Sequence, residues 1–225
     1  MTGRQRDWVD WHAPYDDPSS SLARRLVLVQ AGIAEAIASA PPGPVRMISV
    51  CAGQGRDLLG VLPDHPRRTD VAARLVELDP RNAQVARDQA AAAGLTGVEV
   101  VTGDAAETDA YAGAVPANLV VLAGVFGNVS EADIRRTIEL LPTLCAPGAV
   151  VVWTRHRRPP DLTPAVRGWF TGAGFTELWF SGPVGDTWIG AGVVRLERDP
   201  PAFRPGVTLF RFITTAREAT PRGYR

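Results

Sequence analysis

The chain has 225 residues, 45% of them hydrophobic, which is enough for one full core and makes a single domain the default. Its formal net charge is zero, with 24 arginine-type bases and no lysine. That disfavours nucleic acid as an obligate partner, because a phosphate-tracking surface shows as a basic excess, and it excludes lysine Schiff-base chemistry. The N-terminus is polar and mixed in charge, so no signal peptide is expected, and no apolar run is long enough to span a bilayer. Cys51 and Cys145 are far apart and lie in or beside apolar runs. Two buried free thiols and a reducing, cytoplasmic location follow as the expectation.

Residues 1–44 are expected to form an N-terminal lid and helix, and residues 45–225 the core of the same domain. The first segment is rich in aromatic residues: Trp8, Trp11, His12 and Tyr15. Ser19-Ser20-Ser21 supplies a helix start, and Leu22, Leu26, Val29, Ile33 and Ile37 then recur on one helical face until Pro41-Pro42-Gly43-Pro44. Strands are expected at 45–51, 71–77, 98–101, 118–123 and 149–154. Helices are expected at about 57–62, from Pro80 to Ala93, after Ser130-x-x-Asp133, and at 164–171. Two last strands, 175–180 and 188–196, have only a Gly/Pro-rich loop between them and read as an antiparallel hairpin. The pattern is α/β, with a mostly parallel sheet covered by helices on both faces.

The first strand runs into Cys51-Ala52-Gly53-Gln54-Gly55, and the second ends at Glu77, 22 positions beyond Gly55. A glycine turn followed by an acid at this distance is how doubly wound domains bind a nucleoside, the acid taking the ribose hydroxyls. A dinucleotide fingerprint has a third glycine where this chain has Leu58, and Asp57 at the helix start would repel a pyrophosphate. A phosphate-binding loop needs lysine. A sulfonium nucleoside such as S-adenosylmethionine fits better, with Asp57 facing its ammonium group.

On these residues the chain resembles the class I S-adenosylmethionine-dependent methyltransferases, from Val45 to Leu196. The resemblance implies a Rossmann-like seven-stranded sheet with a reversed last strand. It implies donor contacts from Cys51, Ala52, Gly53, Gly55 and Asp57 around the first turn. Glu77 and Leu78 would serve the ribose, Asp104 and Ala105 the adenine, and Gly124 and Val125 the segment after the fourth strand. Ser49 stands where the family often has an acid, and Cys51 where it has a glycine, so Asp57 or the Cys51 carbonyl would take the contact to the amino group.

Methyl transfer to oxygen or nitrogen of a small, acidic or aromatic molecule is the expected activity. Methylation of RNA or protein, or donor binding without catalysis, are the alternatives. Three segments could hold the acceptor. Phe126 and Asn128 could contact it after the fourth strand, although a plain turn before the helix explains them as well. Arg155, His156 and Arg157 leave the fifth strand, with His156 a candidate base and the arginines a cradle for an acid. Trp11 could stack on the acceptor, with His12 and Tyr15 as further catalytic candidates in the lid. No metal-ligand constellation stands out, so a metal-dependent mechanism is disfavoured. A homodimer is left open beside the monomer.

Overall fold

The computed structural model describes residues 10–182 and 188–213. Trp8 and the side chain of Trp11 lie outside the described residues. Helix α1 (Ser21–Ser39) is capped by Ser20, whose side chain accepts the Ala23 N–H at 3.0 Å, and it buries Val29, Ile33, Ala36 and Ile37. At its other end the Arg67 guanidinium donates to the carbonyls of Ile37, Ala40, Pro41 and Gly43. Those four acceptors would otherwise lack partners where proline breaks the helix.

Seven strands follow: β1 (Val45–Val50), β2 (Val71–Glu77), β3 (Val98–Thr102), β4 (Ala117–Leu122), β5 (Cys145–His156), β6 (Phe175–Phe180) and β7 (Ile189–Leu196). Their order is β3-β2-β1-β4-β5-β7-β6. The first five pair in parallel, and β7 lies antiparallel between β5 and β6. The chain therefore runs outward from β1 in both directions, and the switch point falls between β1 and β4. In open α/β sheets the crevice at that point, outside the carboxyl ends of the strands, is where ligands bind.

Successive strand residues face opposite layers. On one face Met47, Leu75, Val121 and Val152 pack under α1, α2 (Arg56–Leu59) and α3 (Pro80–Ala92). On the other, Ile48, Val120, Leu122 and Trp153 pack under α4 (Glu131–Leu140) and α5 (Thr163–Gly172). Among the described residues, no helix is long and apolar enough to cross a membrane.

Several boundaries move from the sequence expectation. The helix expected at 57–62 shrinks to the single turn of α2, with a 3-10 turn from Leu62 to Asp64 taking up Pro63. The fifth strand begins at Cys145 and reaches His156, with a register irregularity between Ala117 and Leu119 of its partner. Between β3 and β4 there is no α-helix, only a 3-10 turn at Thr108–Tyr111. The stretch after Leu196, for which periodicity gives no element, fills the space. Leu209 and Phe210 are buried there, with the Leu209 N–H on the Ala106 carbonyl at 2.8 Å and the Ile213 N–H on the Asn128 carbonyl at 2.9 Å. The last described residues thus tie the loop after β3 to the loop after β4.

Candidate active site

The turn leaving β1 takes three left-handed residues in five: Cys51 (φ 54°), Gly53 (φ 57°) and Gly55 (φ 70°). The two glycines adopt this without cost, whereas an L side chain there costs roughly 1–2 kcal/mol. Cys51 bears that cost, so the surrounding structure must impose the conformation. It does so through the Ala52 N–H on the Val76 carbonyl (2.9 Å) and the Gly55 N–H on the Ala52 carbonyl (2.8 Å). At Gly55 a Cβ would also lie 2.8 Å from Leu59 and 2.9 Å from Leu75, so close packing of turn on strand needs glycine.

Glu77 closes β2 beside this turn. Its Oε2 accepts the Gly53 N–H at 2.8 Å and its Oε1 accepts the Asp79 N–H at 2.9 Å. Each carboxylate oxygen retains a second acceptor direction, so the group is aimed without being saturated. Burial pushes the Glu77 carboxyl above its usual range, and the N–H groups of Asp79, Gly53 and Leu78 oppose that. Leu78, 59% exposed, offers an apolar surface next to it. Asp104, after β3, is exposed and accepts the Ala106 N–H at 2.9 Å, while Ala105 is buried and takes the Tyr111 hydroxyl at 2.7 Å on its carbonyl. The Cys51 thiol is pushed well up by burial and then by the carboxylates of Glu77 and Asp104, so the ends of β1, β2 and β3 converge on one place.

Asp57 sits in α2, buried, with the Leu58 N–H donating to it at 2.8 Å. Burial raises its pKa, countered by backbone donors, by the nearby Arg25 and by a hydrogen bond from the Ser49 side chain. Ser49 is itself 1% exposed. The strand thus contributes the hydroxyl that holds an acid carried by the helix.

A 3-10 turn, Asp10–Asp16, lies over this arrangement. Between it and the glycine turn is a cavity of about 40 Å³ lined by His12, Tyr15, Arg25, Gly53 and Asp57 among others. His12 is buried against Gly53, whose Cβ position would be 2.4 Å from its Nε2. Arg25 donates to the Tyr15 hydroxyl, and Arg56 forms an ion pair with Asp16 at 2.7 Å. Both guanidinium groups lie within 6 Å of the Tyr15 ring centroid, at 5.9 and 5.7 Å. Burial raises the Tyr15 phenol's pKa, with Arg25 opposing. His12 and Tyr15, candidates from the sequence, lie here beside Arg25 and Arg56, which sequence reasoning did not single out. A signal was present for Arg25: it falls one turn ahead of Val29 on the apolar stripe of α1, where a charge is out of place.

The second group of candidates leaves β4 and β5. Gly124 (φ 81°) donates its N–H to Thr154 Oγ1 at 2.8 Å, and the Asn128 amide donates to the Gly124 carbonyl at 2.7 Å. Asn128 thus fastens the turn that carries it. Phe126 requires a correction as an acceptor contact. Its side chain is wholly enclosed, its ring 6.2 Å from Trp153 and 6.4 Å from Phe170, because an aromatic at this position completes the core under α5. Val125 is likewise buried in that core.

Arg155 donates through Nη1 to the Phe126 carbonyl, and its buried Nε has no hydrogen-bond partner among the described residues. Arg157 pairs with Asp161 at 3.4 Å and lies over the Phe180 ring. His156, at the end of β5, is exposed at its rim and stands beside Gly127, with Cδ2 3.6 Å from the position of a Cβ there. Partial burial lowers its pKa, Arg155 and Arg158 lower it further, and Asp161 opposes them.

A family model described as "Putative methyltransferase" matches residues 22–169. No curated protein matches the chain by sequence. Among solved structures, the carbon methyltransferase CurJ is 16% identical over 85% of this chain and 59% of its own, with a TM-score of 0.67. An O-methyltransferase family protein from Burkholderia thailandensis is 18% identical over 80% of this chain and 60% of its own, with a TM-score of 0.57. A precorrin-6y C5,15-methyltransferase from Geobacter metallireducens is 12% identical over 75% and 87%, with a TM-score of 0.55. At these identities the likeness is one of fold. The chain spans about three fifths of the length of the first two.

Proposed function

The chain belongs to this methyltransferase family, and from that premise we propose that it moves a methyl group from S-adenosylmethionine to an oxygen or nitrogen of a small molecule, an acidic or aromatic metabolite. The observation that carries the donor assignment is Glu77, fixed by the Gly53 and Asp79 N–H groups with acceptor directions to spare for a ribose diol. The residues present fit the donor. Cys51 to Gly55 offer backbone at close approach, Asp57 is a buried carboxylate for an ammonium, Leu78 would lie beside the ribose and Asp104 beside the adenine. Arg25, within electrostatic reach of Asp57, offers the complementary cation for the donor's carboxylate.

S-adenosylmethionine supplies a methyl group already activated on a sulfonium sulfur, so the chain has to align an acceptor and remove its proton. His156 is the proposed base. Its lowered pKa keeps the imidazole neutral, and therefore able to take a proton, at pH values where an ordinary histidine would begin to be charged. Arg155 supports the acidic class of acceptor, as a half-buried cation with an unused donor beside that base. The neutral net charge supports a small molecule over RNA. The two free cysteines are in keeping with a reducing, cytoplasmic setting.

The experiment is transfer of a labelled methyl group to a panel of small carboxylates, phenols and amines, with RNA and protein run alongside. Label is expected in a small acidic or aromatic acceptor. Label appearing in RNA or protein alone would overturn the small-molecule assignment. Donor binding with no transfer to any class would make this a non-catalytic donor-binding protein.

A further inference from the structure

His12 is 8% exposed and packs directly on the glycine turn. An imidazole is buried against the one glycine whose N–H orients Glu77, in the crevice where an amino-acid-bearing nucleoside has to lie. The space left between the Asp10–Asp16 turn and the glycine turn is about 40 Å³, an order of magnitude below the roughly 300 Å³ at which ligand pockets begin. This cavity does not reach Glu77 or Asp104, and it is the amino-acid end of a donor that cannot share it with the turn as it stands.

Two of the contacts that hold the turn are ones a donor would replace. Tyr15 gives its hydroxyl to Arg25, a neutral acceptor on a guanidinium that would be better matched by a carboxylate. His12 covers Gly53, which has no side chain and so leaves room for either the ring or a ligand. Outside the crevice, the Ser20 hydroxyl donates to the Pro14 carbonyl and Arg56 pairs with Asp16, whose side chain is 71% exposed.

We propose that the Asp10–Asp16 turn is an intramolecular competitor for the donor site, in which Tyr15 takes the place of the donor's carboxylate on Arg25 and His12 takes the place of its aliphatic chain on Gly53. The Arg56–Asp16 pair latches it. The donor enters as the turn withdraws. Product release is the reverse exchange, with the turn displacing the spent donor. This inference rests on the donor assignment above, and it concerns what the site does before a donor arrives.

The test is calorimetric titration of S-adenosylhomocysteine into the full chain and into two variants, with stopped-flow association rates. Asp16→Asn removes the latch from an exposed position where folding is not at stake. His12→Ala opens the space on Gly53. A latch of this exposure predicts about two- to fivefold tighter binding and faster association for Asp16→Asn. His12→Ala is expected to bind tighter still. Raised ionic strength should narrow the gap between the native chain and Asp16→Asn, since the ion pair is screened in one and absent in the other.

Unchanged or weaker binding by both variants, with the native chain binding normally, would overturn the competitor and leave the donor assignment standing. Failure of all three to bind would overturn both.

Discussion

The two ends of the sheet's carboxyl edge are built differently. Beside β1 and β2, the groups that matter are set by backbone: left-handed residues at 51, 53 and 55, and two N–H groups that aim Glu77. Beyond β4 and β5, side chains hold their own scaffold. Asn128 is spent on the Gly124 carbonyl, Phe126 on the core, Arg157 on Asp161, and Thr154 on the Gly124 N–H. The first end is the proposed donor site, shaped mainly by backbone. The second is a frame from which few side chains, chiefly His156 and Arg155, are left to meet a ligand. A family that keeps one donor and varies its acceptor would be expected to divide the work in this way.

The contrast can be broken or sharpened by substitution. The largest effect is expected at the acceptor end, where one group carries the proton. His156→Ala should lower kcat by about 10²–10⁴-fold while S-adenosylhomocysteine affinity, read by calorimetry, stays within about twofold. The acidic limb of the native rate profile should lie below the ordinary histidine value of 6.5. Asp161 raises the His156 pKa, so Asp161→Asn should move that limb to lower pH. A limb that moved upward would remove His156 as the titrating group.

At the donor end Glu77→Gln is expected to weaken binding by about 10- to 100-fold, since charged hydrogen bonds in a buried site are each worth roughly 1.5–3 kcal/mol. Gly53→Ala combines a left-handed backbone with a contact on His12. It should cost about 1–2 kcal/mol, or roughly 2–8 °C in Tm, and reduce donor affinity with it.

The smallest effect runs the other way. Burial raises the Asp57 pKa above its ordinary 3.8, so the folded chain holds that proton more tightly than the unfolded one. Stability then falls as pH rises from about 4 through the raised value, and the loss is complete above it. Asp57→Asn should recover it, raising the Tm of the donor-free chain at neutral pH by about 2–4 °C while weakening donor binding. A Tm unchanged at neutral pH and a parallel pH–stability curve would show that the burial of this charge is not costly.

What could be foreseen follows the same division. The β1 turn and Glu77 were legible because glycine spacing and an acid at a strand end encode backbone geometry directly. The helix ends at Ser20 and Ser130 were legible for the same reason, each being capped by its own side chain. The fate of Phe126 was not, because an aromatic after a strand looks alike whether it faces a ligand or a core, and only the packing of α5 decides. Nor was the segment after Leu196, whose buried Leu209 and Phe210 have no periodicity and gain their place from carbonyls a hundred residues away. Of the arginines around Tyr15, Arg25 broke the apolar stripe of α1, but Arg56 was hidden in a composition where every base is arginine.

The central claim is that Glu77, held by the glycine turn, is the anchor of an S-adenosylmethionine site. Calorimetry of S-adenosylhomocysteine against the native chain and Glu77→Gln, both checked for a folded melting transition, tests it directly. The account predicts one saturable site in the native chain and an affinity at least tenfold weaker in the variant. Equal affinities in the two proteins, or no binding by the native chain, would contradict it.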